Sequence, residues 1–305
     1  MHPYRVILII LWIAGSIGGA IYSQQKNIPP AVAIPVALAF LVEASLYLGL
    51  GRLRYPSMWL LAGSALVPYL ILVAPLGLFS WKAAATLAGL AVVQCWWLPI
   101  AGQRLDPLFL ALTAGVYMSK ILDTVYPEVG PIKVDALGQL MWFRLGVTSV
   151  LENRNHPRLN FGFVPKASEW LSGLFWFACF APVGYGLSVL LKFAHPHLAE
   201  GWWWKGPGTF VGIFLTVALG EEIFFRGLLL ERIKEWWGLA AAIVVSSLVF
   251  GVVHLWFRQF PNYKHVAMTV ALGVFCALAY VRGRSVRASM VSHALVVAAW
   301  RIGFV

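Results

Sequence analysis

Apolar residues run in long uninterrupted stretches, at 6–21, 31–50, 57–79, 83–101, 171–193, 208–230, 239–257, 266–281 and 288–305. A helix crossing a bilayer needs about 20 mostly apolar residues. The pattern therefore predicts an all-α fold, a polytopic transmembrane helical bundle of roughly 8–10 spanning helices. The 266–281 stretch is at the short end. Two further stretches are weaker: 107–126 is broken by Lys120 and Asp123, and 136–150 by Arg144. Each of these reads as a short span, a re-entrant piece or an interfacial helix.

The one sizeable polar region covers residues 126–169. Pro127, Pro131, Pro157 and Pro165 break helices there, and Leu159, Phe161 and Phe163 alternate as though lying on a surface. It divides the chain into an N-terminal helical module (1–125), a linker with interfacial segments (126–169) and a C-terminal helical module (170–305). Arg5 ahead of an apolar run superficially resembles a secretory signal, but further spans follow, so a retained first helix is expected. Gly15 and Gly19, one turn apart, suit close helix packing.

Composition agrees with the pattern: 60% hydrophobic, 11% charged, mean hydropathy +0.78. A net charge of +11 would suit nucleic acid, but the Lys and Arg residues sit in short loops between spans. They read as topology signals and lipid head-group contacts, so the expected partners are membrane lipids and no nucleic acid. Placing Arg52, Arg54, Arg104, the Arg144–Lys166 group, Arg232, Lys234 and the Arg282–Arg287 group on the cytoplasmic side makes the spans alternate after Lys166. Lys26, Lys82, Lys205, Arg258 and Lys264 fall opposite. Trp202, Trp203 and Trp204 beside Lys205 suit the head-group level. Cys95, Cys179 and Cys276 lie inside apolar runs and form no Cys-x-x-Cys pair, so they read as buried thiols.

Chemistry concentrates at Gly220-Glu221-Glu222-Ile223-Phe224-Phe225-Arg226-Gly227, where charge interrupts an apolar helix. At 100° per residue, Arg226 lies about 40° from Glu222 and about 140° from Glu221 around the axis. Glu222 can pair with Arg226 at i,i+4, while Glu221 points elsewhere as a candidate base. The following helices carry Phe250-x-x-x-His254 and Ser292-His293. A lone histidine in an apolar helix is usually a core residue bonded to a carbonyl. Two of them behind a Glu-Glu helix offer a base, a second proton-handling group and a donor, which peptide hydrolysis requires. Glu43 is read as pairing with another helix or a polar cavity, and His195-Pro196-His197 as a surface loop.

In Glu221-Glu222-x-x-x-Arg226, Phe250-x-x-x-His254 and His293, taken in order on successive helices, the chain resembles the CPBP intramembrane proteases. These include type II CAAX prenyl endopeptidases and lysostaphin-resistance-A-like proteins. The resemblance covers roughly the C-terminal 130 residues. It implies a glutamic-type intramembrane endopeptidase acting on a membrane-bound or lipidated protein or peptide. Glu221 and His254 would activate the attacking water, Glu222 and Arg226 would hold their helix, and His293 would help form the oxyanion hole. Phe250 would contact substrate. The family usually has Asn or Asp four residues after that last histidine, and this chain has Val297, which donates no hydrogen bond.

No metal is implied by this reading. A zinc alternative would take Glu221, His254 and His293 as ligands, with Glu222 beside them, although no His-Glu-x-x-His is present. A non-catalytic alternative is a membrane scaffold or proton-coupled transporter. The protein is expected to be an integral multi-pass membrane protein whose site opens to the cytoplasmic side. Along the helices, Glu221 lies about 20 Å from Gly208, while His293 lies about 10 Å from Arg287. The two levels meet only if the 208–230 helix tilts or continues toward Trp236.

Overall fold

The computed structural model describes residues 3–50, 55, 57–154 and 164–304. Arg52, Arg54, Pro157, Leu159, Phe161 and Phe163 lie outside them. The described residues form helices and no strands, an all-α polytopic bundle in which six helices are long and apolar enough to cross a membrane. The chain divides into two compact units, Met1–His156 and Pro157–Val305.

In the N-terminal unit, α1 (Pro3–Gln25) and α2 (Pro30–Leu48) form a hairpin. A Cβ on Gly15 would run into the Leu41 side chain, and Trp12 Nε1 donates to Ser45 Oγ at 2.9 Å, so the small residues of α1 serve packing. Then come α3 (Met58–Gly63), α4 (Leu66–Leu76), α5 (Trp81–Ile100), a 3-10 turn, α6 (Asp106–Met118), α7 (Ile121–Val125) and α8 (Asp135–Asn153). The stretch 107–126 is thus two helices, parted at Lys120 (φ 61°).

Helix α8 corrects the charge reading. Every residue from Leu140 to Val150 is buried, Arg144 included, so Arg144 is no topology signal. Its guanidinium donates from Nε to Glu43 Oε1 at 2.6 Å and from Nη2 to Glu43 Oε2 at 3.1 Å. Its other contacts are Ser64 Oγ and Ser64 O. Glu43 has the interhelical partner its sequence context asks for. A charge inside an apolar bundle is tolerated when paired and hydrogen-bonded on both sides.

In the C-terminal unit, α9 (Ala167–Leu190) is followed by α10 (Trp202–Leu215) and α11 (Val217–Glu222). A π-helical segment (Ile223–Leu230) then leads into α12 (Glu231–Val252), α13 (Tyr263–Gly283) and α14 (Val286–Gly303). Helix α13 packs against α9, α12 and α14. The single span expected over 208–230 is interrupted. Thr216 leaves helical geometry (φ −121°, ψ −84°), and its hydroxyl bonds back to Gly212 O at 2.6 Å. The helical path continues beyond Leu230 to Trp237 and breaks at Gly238, whose φ of 80° favours glycine.

This continuation resolves the mismatch in levels. Tyr280 donates its hydroxyl to Glu231 Oε1 at 2.9 Å, which sets Glu231 beside the C-terminal end of α13. From there Glu222 is about 13 Å along the helix, close to the depth of His293 in α14. Close packing completes the frame: a Cβ on Gly251 would strike the Val270 side chain, so α12 and α13 approach at their backbones.

Breaking one partner of a buried ion pair typically costs about 3–5 kcal/mol, whereas an apolar replacement of both is often neutral or stabilising. Glu43→Gln should therefore lower the melting temperature in detergent more than the double change Glu43→Leu with Arg144→Met. Equal losses would contradict this account of the Arg144 pair.

Candidate active site

The site is assembled from α11, the π segment, α12 and α14. Glu222 and Arg226 are wholly buried, Glu221 and His293 are 3% exposed, and Phe250 is 1% exposed. Arg226 Nη1 donates to Glu222 Oε1 at 3.0 Å, the i,i+4 pair expected from spacing, and it persists across the widened π turn. Arg226 Nη2 donates to Gly273 O at 3.0 Å, and its guanidinium lies 4.4 Å from the centre of the Phe250 ring. One side chain thus joins the π segment to α12 and α13. A π-helical insertion of this kind recurs at functional sites.

The two histidines have their Nδ1 atoms committed. His254 Nδ1 lies 2.7 Å from Phe250 O; a carbonyl only accepts, so that nitrogen carries a proton and donates. His293 Nδ1 lies 2.7 Å from Glu222 Oε1, the oxygen that also receives Arg226. A carboxylate held beside a guanidinium accepts, so His293 too donates from Nδ1. Both Nε2 atoms then turn toward Glu221: His254 Nε2 is 3.7 Å from Oε1 and His293 Nε2 is 3.9 Å from Oε2. The structure brings all five sequence-marked residues together. Phe250 is the ring around which they gather, with its centre 4.9 Å from that of His254 and 5.8 Å from that of His293.

Glu221, Phe250, His254 and His293 line a cavity of about 180 Å³, together with Val297. Ser292 is buried and is not among the lining residues. Four polar residues that the motif pattern did not single out also line it: Arg258, His265, Thr269 and Arg301. The signal that could have found His265 is Asn262, whose side chain caps α13 by accepting from His265 N at 3.0 Å. An N-cap there places position 265 in the first turn, beside the end of α12.

The cavity's exposed lining residues, Phe257, Arg258 and Arg301, lie at the end of the unit that also carries Lys192, Lys205 and Lys264. Arg232, Lys234 and the Arg282–Arg287 group lie at the other end. A cytoplasmic opening and the charge-based sidedness therefore exclude each other. The charge bias is weak here because Arg301 and Lys192 add to the cavity end.

Among the described residues, the donors of Glu222, Cys276 and His293 lie within 4.8 Å of one another, all buried. Glu222 already receives Arg226 and His293, so a cation there would have to displace two donors from it.

Residues 201–299 match the family model described as type II CAAX prenyl endopeptidase Rce1-like. The match is confined to this segment, about a third of the chain. The match agrees with the resemblance to the CPBP family and contains Glu221, Glu222, Arg226, Phe250, His254 and His293. No curated protein and no solved structure matches the chain. With the apolar helices around it, the match fits an integral multi-pass membrane protein and, at a coarse level, a protease.

Arg226→Met would leave the Glu222 charge buried beside a single donor, a loss of about 3–5 kcal/mol. A marked fall in the detergent melting temperature is expected, and an unchanged melting temperature would show that the pair does not hold the Rce1-like helices together.

Proposed function

We propose that the Rce1-like unit is a glutamic intramembrane endopeptidase that hydrolyses a peptide bond of a lipidated or membrane-bound protein or peptide. The observation that carries this reading is the convergence of two Nε2 atoms on the Glu221 carboxylate, each imidazole oriented by a bond at its other nitrogen. A water between Glu221 and His254 loses a proton to the Glu221 carboxylate, with His254 Nε2 as its second acceptor. Its oxygen bonds to the scissile carbonyl carbon, and the carbon–nitrogen bond then breaks. The amine leaves with the proton that Glu221 returns, and the carboxyl product gives its remaining proton to His254 Nε2 or the departing amine, leaving a carboxylate. His293, held at Nδ1 by Glu222, presents Nε2 to the tetrahedral intermediate, where a proton on that atom donates to its oxyanion.

Such orientation of imidazoles from their far nitrogen also serves metal ligation, so the geometry favours one second reading, a zinc site at Glu221, His254 and His293. The two are separated by one comparison. Purified protein in detergent is incubated with a farnesylated CAAX peptide and an unlipidated membrane-peptide library, and products are read by mass spectrometry. Glu221→Gln should lower cleavage by about a thousandfold or more, in the range of a lost catalytic group. Chelator-treated wild type should retain its activity. Loss in both samples, with zinc bound to the untreated protein, would select the metalloprotease. Cleavage by Glu221→Gln at the wild-type rate would overturn both.

We assign the cavity mouth to the cytoplasmic face. Among the described residues Lys192, Lys205, Arg258, Lys264 and Arg301 stand there without carboxylate partners. At the other end Arg232, Lys234 and Arg287 are bound to Glu235, Glu231 and Glu169, and Arg282 lies over the Phe175 ring, which leaves Lys166 and Arg284. Uncompensated juxtamembrane cations suit the anionic cytoplasmic leaflet. A cysteine replacing Arg258 should react with an impermeant thiol reagent in inverted vesicles only. Reaction only in right-side-out vesicles would reverse the assignment.

A further inference from the structure

The cavity presents a shortage of donors. An oxyanion forming in it needs N–H or O–H groups aimed from its walls, and a missing one typically costs a hundredfold or more in rate. Val297 offers none. Thr269 returns its hydroxyl proton to its own helix, at His265 O (2.8 Å) and Val266 O (3.1 Å). His254 spends its Nδ1 proton on Phe250 O and turns Nε2 to Glu221. Arg258 and Arg301 are exposed at the mouth.

His265 remains. It lines the same cavity from the first turn of α13, with its ring centre 5.7 Å from that of His254. Phe257 stacks flat against it, at 3.9 Å and 14° between planes, and the Asn262 cap fixes the backbone that carries it. Its Nδ1 is enclosed by protein and has no hydrogen-bond partner among the described residues. Nothing there holds a proton on that nitrogen, so Nε2 is the atom left to serve an occupant of the cavity. A neutral imidazole protonated at Nε2 is a donor.

We propose that His265 is a further catalytic residue, whose Nε2–H donates to the carbonyl oxygen of the scissile bond and takes the place of the donor absent at Val297. The proposal rests on the endopeptidase reading. It divides the work between two histidines: His293, tied to Glu222, and His265, held by stacking on Phe257. No further bond is made or broken by His265; its hydrogen bond shortens as charge builds on the oxygen.

The test uses the full-length protein and the farnesylated CAAX peptide, or whichever library peptide the wild type cleaves, with Glu221→Gln as the reference for the reading itself. His265→Phe keeps an aromatic ring on Phe257 and removes the donor. It should lower kcat about a hundredfold while KM and the melting temperature stay near wild type. Adding Val297→Asn to His265→Phe restores a donor from α14 and should recover kcat at least tenfold. His265→Gln, which retains an N–H, should lose less than His265→Phe. If Glu221→Gln is inactive but His265→Phe keeps more than half the wild-type kcat, the endopeptidase reading stands and the His265 proposal falls. A loss shared equally by His265→Phe and His265→Gln, with a lowered melting temperature and no recovery by Val297→Asn, marks a packing role and also overturns it. A wild type and Glu221→Gln that cleave alike remove the reading and the proposal together.

Discussion

The Glu222 carboxylate is the interaction on which the C-terminal unit depends. Its Oε1 takes Arg226 at 3.0 Å and His293 at 2.7 Å, in a place from which water is excluded. A carboxylate at that depth is tolerable only because its charge is answered. In answering it, three elements are fixed at once: the π segment through Arg226, α14 through His293, and α13 through the second Arg226 bond to Gly273 O. The neighbouring Glu221 then faces the two imidazole Nε2 atoms as a consequence of where Glu222 is held. The pairing therefore has a structural purpose and a chemical one, and one carboxylate serves the first so that its neighbour can serve the second.

Breaks in helical regularity are what allow these groups to meet. Thr216 ends α10, the π segment widens the turns after Glu222, and Gly238 ends the path at Trp237. A straight helix over 208–230 would have put the carboxylates and His293 at different depths. Continuing the path to Trp237 and fastening Glu231 to Tyr280 sets them level. The cavity that results is lined by residues of six helices and is mostly apolar, with its titratable groups gathered around Glu221 and its arginines at the mouth. A largely dry site strengthens the electrostatic interactions within it.

The all-α character and most spans were legible because the bilayer demands runs of about 20 apolar residues, a signal that few soluble folds imitate. The Glu222–Arg226 pair was legible because i,i+4 spacing is local. Glu43 was legible as a residue needing a partner, but Arg144 as that partner was not, since the contact spans distant sequence and Arg144 reads alone as a loop charge. Helix breaks at Thr216 and Gly238 left no clear trace: one threonine and one glycine in an apolar stretch are compatible with a continuous span. His265 was missed for the same kind of reason. Its role depends on how 253–262 folds back against α12, which no periodicity records. The His254 and His293 motifs were legible through resemblance, while their mutual geometry, each ring oriented from Nδ1, belongs to the folded site.

Central to the account is direct attack by a water that Glu221 deprotonates, rather than attack by the carboxylate itself. A single-turnover cleavage with enzyme in excess, carried out in ¹⁸O-water, separates the two by mass spectrometry. The account predicts that the new product carboxylate carries one ¹⁸O in that first turnover and that Glu221 carries none. Unlabelled product with ¹⁸O found in Glu221 would mean a covalent anhydride on the enzyme and would contradict it.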